Sequence, residues 1–201
     1  MYTPKHFTVV DRDALDGVIS ANPFGLLIGA LDGSPFGTHL PFLLDGDRLL
    51  SHFARGNPHW QSIDGQTEML AVFSGPHAYV SPRWYESEQA VPTWNYVAVH
   101  VYGAPRVIED AGQVRELLDR LVAEYEGSAW SLEGQEADFT DRMSRGIVAF
   151  EMPIERIEGK FKLSQNRPDD DRRRVIAEFE KPGGGENAEL ARLMREALSG
   201  D

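Results

Sequence analysis

The chain has 201 residues, no cysteine, and 32 acidic against 20 basic side chains, for a formal net charge of -12. That length suits one sizeable core with a C-terminal addition, and the missing thiols exclude disulfides, thiolate nucleophiles and cysteine-held metals. The acidity argues against broad nucleic-acid binding, which relies on cations releasing counterions from phosphates, so any DNA contact needs a local basic patch.

In chain order, Asp11 to Ala21 reads as a short helix, with Leu15, Val18 and Ile19 at helical spacing and Asn22-Pro23 as its stop. Phe24 to Leu31 reads as a strand, Asp32-Gly33-Ser34-Pro35 as a turn, and Thr38 to Leu44 as a strand leading through Asp45-Gly46 into Arg48 to Ala54. Met69 to Ser74, His77 to Pro82, Thr93 to Val107, Ile147 to Met152 and Ile154 to Leu163 add further strands, enough for a closed or nearly closed barrel. Between the later strands, Asp110 can cap a helix with Gln113 three positions on, and Val114, Leu117, Leu118, Leu121, Val122 and Tyr125 form its apolar stripe. After Arg167-Pro168 the composition changes. Asp169-Asp170-Asp171 can cap a helix carrying Val175, Ile176 and Phe179; Pro182-Gly183-Gly184-Gly185 breaks it; a last helix from about Asn187 presents Leu190, Leu193, Met194 and Ala197. The expected organisation is a domain over 1–167 and a helical extension over 168–201, packed on the barrel or on a partner subunit. No stretch has the length and apolarity of a membrane span, and no apolar run follows a basic start, so a cytoplasmic location without membrane contact is expected.

Lys160 and Lys162 stand two positions apart in a predicted strand, which places both ammonium groups and the Ser164 hydroxyl on one face, with Arg167 following. Such a face is either an anion site or an edge strand whose lysines discourage aggregation. Alternation over 93–103 puts Val97, Val99 and Val101 in the core and Trp94, Tyr96, Ala98, His100 and Tyr102 opposite them. An outward face so rich in rings implies a homodimer interface, a planar ligand, or both. Ser81-Pro82-Arg83-Trp84-Tyr85 sets a guanidinium beside two rings, for stacking with phosphate pairing or as a packed rim. Asn57-Pro58 is a capped helix start whose free amides, reinforced by Arg55, can hold an anion or simply connect strand to helix. His39, His52, His59, His77 and His100 are scattered singly, which points to satisfied or interfacial histidines and to no metal. No catalytic acid, base or nucleophile stands out, and no phosphate loop or dinucleotide glycine pattern is present.

Thr38-His39-Leu40-Pro41-Phe42, the Ser51-His52 to Asn57-Pro58 segment, Ser81-Pro82-Arg83-Trp84-Tyr85, Pro92-Thr93-Trp94-Asn95-Tyr96 and Lys160 to Arg167 follow the order of the corresponding stretches in the PaiB family, which the chain resembles over nearly its whole length. The resemblance implies a mainly β (α+β) fold: an FMN-binding split β-barrel with peripheral helices and two short C-terminal helices. It also implies a homodimer with FMN between subunits and a negative transcriptional regulator. Carried over by position, Lys160 and Lys162 are expected to meet the phosphate or ribityl chain, and Thr38, His39 and Leu40 to line the ring. Ser51, His52 and Asn57 would complete the phosphate pocket, and Trp94 and Tyr96 would close the site. Ser51-His52 with Arg55 as its sole cation departs from the wider split-barrel pattern, so weakly held FMN, lost on purification, is expected. Two other classes stand beside the regulator: an FMN-dependent oxidoreductase of the flavin reductase kind, and a protein binding haem or another planar cofactor through His39, His52 or His100.

Overall fold

The computed structural model describes residues 1–87, 89–181 and 185–200; the expected break at Pro182-Gly183-Gly184 lies outside the described residues. Two compact units divide the chain. The first takes Met1–Ala21, Ser74–Val99 and the chain from Glu158 onward; the second takes Asn22–Phe73 and His100–Ile157.

In the second unit β2 (Phe24–Leu31) and β3 (Ser34–Pro41) form a hairpin. Its turn requires positive φ at Asp32 (52°) and Gly33 (77°), the backbone of a tight hairpin loop. The strand expected over 38–44 divides at Phe42, whose side chain turns into the core, so that β4 (Leu43–Asp45) pairs separately with β5 (Arg48–Ala54). Likewise, Ala104-Pro105 separates β7 (Thr93–Gly103) from β8 (Arg106–Val107), since proline offers no ladder donor. With β9 (Ile147–Pro153) the strand order is β4-β5-β9-β8. The buried rings of Phe42, Phe53, Phe73 and Phe150 fill this unit, with Phe42 5.3 Å from Phe73 and Phe53 4.9 Å from Phe150. Helix α2 (Ala111–Glu126) begins where Asp110 accepts from the Gln113 amide at 2.9 Å, and it buries Leu117 and Leu121 against Leu43, Leu50 and Ala149. A helix absent from the sequence reading follows at Ala137–Arg145.

In the first unit the strand order is β1-β10-β7-β6, from β1 (Thr8–Val9), β10 (Arg156–Lys162), β7 and β6 (Met69–Val80). Strand β6 runs unbroken through Gly75-Pro76, where two strands were expected, and it passes β7 so closely that a Cβ on Gly75 would stand 3.0 Å from Val97. Helix α1 (Arg12–Ala21) buries Leu15 and Ile19. With Ala137–Arg145 as α3, the C-terminal helices are α4 (Asp169–Phe179) and α5 (Gly185–Ser199). Val175, Ile176 and Phe179 of α4 and Leu190, Ala191 and Met194 of α5 pack in one cluster with Ala78, Val80, Val97 and Leu163. The aspartates at the start of α4 do not cap it. Pro168 holds the cap position without a side-chain bond, while Asp171 is buried and reaches back to residues 86 and 87. No helix among the described residues is long and apolar enough to cross a membrane.

Candidate functional site

In the first unit β10 presents Lys160 and Lys162 differently. Lys160 is 8% exposed; its ammonium donates to the Tyr2 carbonyl at 3.0 Å and lies 5.5 and 5.2 Å from the rings of Tyr2 and Tyr96. Lys162 is half-buried, and its ammonium donates to the Thr93 hydroxyl and the Trp94 carbonyl, each at 2.5 Å. Burial lowers the Lys162 pKa, and the charges of Lys160 and Arg167 lower it further. Burial and neighbouring positive charge both disfavour the protonated lysine, and a negative charge beside it would favour it. Ser164 does not continue the lysine face. It lies beyond β10 with φ of 63°, and its hydroxyl exchanges hydrogen bonds with the buried Asn95 side chain at 3.0 and 3.2 Å. Arg167 stacks over Tyr85 at 4.7 Å.

Beside this group, alternation along β7 is as the sequence predicts: Val97, Val99 and Val101 are buried, whereas Trp94 is 53% exposed and Tyr96 half-buried. Trp94 meets Tyr79 edge-on at 6.1 Å and His77 at 6.3 Å, so an exposed aromatic surface spans β6 and β7.

In the second unit, Thr38 on β3 is half-exposed, His39 is exposed and stacked on Phe24 at 5.8 Å, and Leu40 is buried in the core. Ser51 on β5 is fully buried, its hydroxyl donating to the Pro41 carbonyl at 2.6 Å. His52 follows it, with Nδ1 buried and without a partner among the described residues, and burial lowers its pKa. Asn57 does cap the next turn, accepting from the His59 amide at 3.0 Å, but that turn is a five-residue 3-10 segment, Pro58–Ser62. Such a stub carries no appreciable macrodipole for an anion. Arg55, expected to reinforce an anion there, instead donates to the carbonyls of Arg145 and Ile147, each at 2.7 Å.

The structure joins Thr38 and Asn57 directly and adds to them His59, one of the histidines that read as scattered in the sequence. Asn57 Nδ2 donates to Thr38 Oγ1 at 3.2 Å, and His59 Nδ1 lies 2.9 Å from the same oxygen. His59 is fully buried between Phe36 and Phe53, at 5.0 and 5.4 Å, and burial lowers its pKa. The cap at Asn57-Pro58 was the available signal, since it fixes where the residue two positions later points.

Over residues 1–156 the chain matches the family described as "Putative FMN-binding domain". It is a member of this PaiB-type FMN-binding family. The family match ends before Lys160 and Lys162, but similarity to a whole relative runs further: the chain is 34% identical to "Protease synthase and sporulation protein PAI 2" of Bacillus subtilis (strain 168), over 98% of this chain and 98% of that protein. Among solved structures, the flavocytochrome Anf3 from Azotobacter vinelandii superposes with a TM-score of 0.65 at 16% identity, covering 80% of this chain and 72% of that one. The FAD and heme binding protein from Mycobacterium smegmatis does so with a TM-score of 0.65 at 20% identity, covering 82% and 78%. The α+β split-barrel fold implied by the resemblance is the fold this FMN-binding family member has, with helices and strands in similar measure rather than mainly β.

Proposed function

We propose that this protein binds FMN as a homodimer and acts as a flavin-dependent regulator. The observation that carries the reading is the half-buried Lys162 ammonium at the end of β10, where burial first, and the charges of Lys160 and Arg167 next, lower its pKa. A phosphate dianion suits this group: the Lys162 ammonium has two hydrogen bonds to Thr93 and Trp94, so one of its N–H donors is left for a ligand oxygen. Flavin, when bound, supplies reversible electron and hydride chemistry. The chain's own part is to hold the anion and shield the ring. Trp94 and Tyr79 offer an exposed aromatic surface of the kind that partners cover, and a second copy of the chain is the proposed occupant.

The regulatory part of the proposal draws on family membership and on similarity to a relative named for protease synthesis and sporulation. A net charge of -12 disfavours unspecific duplex binding, so output through flavin-dependent contacts with another macromolecule fits the composition better than wide DNA contact. The protein is to be loaded with FMN, desalted, and measured for visible absorbance and mass in solution. A retained flavin band with a doubled mass is expected; monomeric protein that retains no flavin at any loading overturns the proposal. A mobility shift on its own promoter region at low ionic strength, with and without FMN, separates direct DNA contact from action through a protein.

A further inference from the structure

The Thr38 hydroxyl can face a ligand either as a donor or as an acceptor, and its neighbours decide which. Asn57 cannot take the hydroxyl hydrogen: its Oδ1 is committed to the His59 amide at 3.0 Å, which turns Nδ2 toward Thr38 Oγ1 at 3.2 Å. The choice therefore rests on His59, whose Nδ1 lies 2.9 Å from the same oxygen.

Burial keeps the His59 ring neutral, so a single proton sits on one of its two nitrogens. Nε2 is buried with no hydrogen-bond partner among the described residues, facing β2 where a Cβ on Gly29 would stand 2.9 Å away. A proton on Nε2 would leave a buried N–H without an acceptor, which native structures rarely tolerate. A proton on Nδ1 finds an acceptor at once in Thr38 Oγ1.

We infer that His59 is a positioning residue: protonated on Nδ1, it donates to Thr38 Oγ1 together with Asn57, and so turns the Thr38 hydroxyl hydrogen outward as a donor to an acceptor atom of the ligand. Oγ1 then accepts from both Asn57 and His59, and neither can receive its hydrogen. The ligand atom it suits is a carbonyl oxygen or an unprotonated ring nitrogen. Assigning that atom to a flavin ring rests on the proposed function; the hydroxyl's polarity does not.

Two measurements test this separately. Long-range 15N–1H correlation on the labelled, flavin-free protein reads the His59 tautomer. The expected pattern is a protonated Nδ1 with an unprotonated Nε2, and the reverse pattern overturns the inference. FMN titrations of Thr38→Ser and Thr38→Val then read the donor. Serine keeps the hydroxyl and is expected within about threefold of the unaltered protein, whereas isosteric valine is expected to bind about tenfold or more weakly. Valine binding as tightly as threonine overturns the donor role. If the unaltered protein takes up no flavin, the flavin reading fails while the tautomer is still read and still decides the arrangement of His59, Asn57 and Thr38.

Discussion

The Lys162 ammonium donates to the Trp94 carbonyl at 2.5 Å, which ties the cation of β10 to the backbone of the residue whose ring is most exposed on β7. In the proposed function, anion capture and ring exposure are therefore coupled through one contact. Lys162→Met is expected to weaken FMN binding about tenfold while leaving riboflavin, which lacks the phosphate, nearly unchanged. Fluorescence titration with both flavins checks it, and equal losses for the two would show that Lys162 does not meet the phosphate.

The same lysine predicts an alkaline limb. Only the protonated ammonium attracts the anion, and burial with the neighbouring Lys160 and Arg167 charges makes it lose its proton below the ordinary lysine value of 10.5. FMN affinity should therefore fall with rising pH before ordinary lysines titrate, and riboflavin affinity should not follow. Lys162→Arg, which stays charged, should flatten that limb.

Acid should destabilise the fold before the carboxylates titrate. His52 and His59 both have pKa values lowered from 6.5 by burial, so below that pH the unfolded chain takes up protons that the native chain refuses. Their contribution is complete above pH 6.5 and is lost as pH falls toward the lowered native values, with a slope of up to about 1.4 kcal/mol per pH unit for each proton. Melting temperatures from pH 7.5 to 5 should show the decline, and His52→Gln with His59→Gln should flatten it whatever their effect on stability at neutral pH.

Strands β2 and β5 are legible to the residue because each borders a turn whose glycine takes positive φ, Gly33 after β2 and Gly46 before β5. Alternation likewise separates the two faces of β7. Helix α3 is not legible: its large apolar residues Phe139 and Met143 stay exposed, so no stripe marks a buried face. Ser164 misleads because period-two reasoning holds only inside a strand, and its left-handed backbone turns the hydroxyl toward Asn95. His59 escapes notice because its meaning depends on β3 meeting a turn 21 positions later, a contact that no local pattern encodes.

The anchor of α4 is Asp171. Its buried carboxylate accepts from the Glu86 amide at 2.7 Å and from the Ser87 hydroxyl at 2.6 Å. Burial pushes its pKa upward, but these bonds, the Ser87 amide and the Arg167 charge outweigh it and hold the carboxyl below its usual 3.8. Asp171→Ala leaves those donors unanswered and is expected to destabilise by about 2–3 kcal/mol, read from the urea midpoint. Ser87→Ala removes one bond and should lose about 1 kcal/mol.

Gly103 ends β7 where the backbone of β9 leaves room for nothing more than hydrogen. A Cβ built there would lie 1.9 Å from the Pro153 carbonyl oxygen and 3.1 Å from its carbon, and the Glu155 amide already bonds the Tyr102 carbonyl at 3.0 Å, so neither backbone can withdraw alone. Gly103→Ala should therefore force the two segments apart and destabilise by about 3 kcal/mol or more, beyond the usual penalty for overpacking a side-chain site. Gly46 gives the contrast: its φ of 60° strains any other residue, yet a Cβ there meets no atom within 4 Å. Gly46→Ala should lose only the conformational part, about 1 kcal/mol. Urea denaturation of the two variants side by side measures the difference; similar midpoints would mean that β7 and β9 do not approach as closely at Gly103 as the backbone distances indicate.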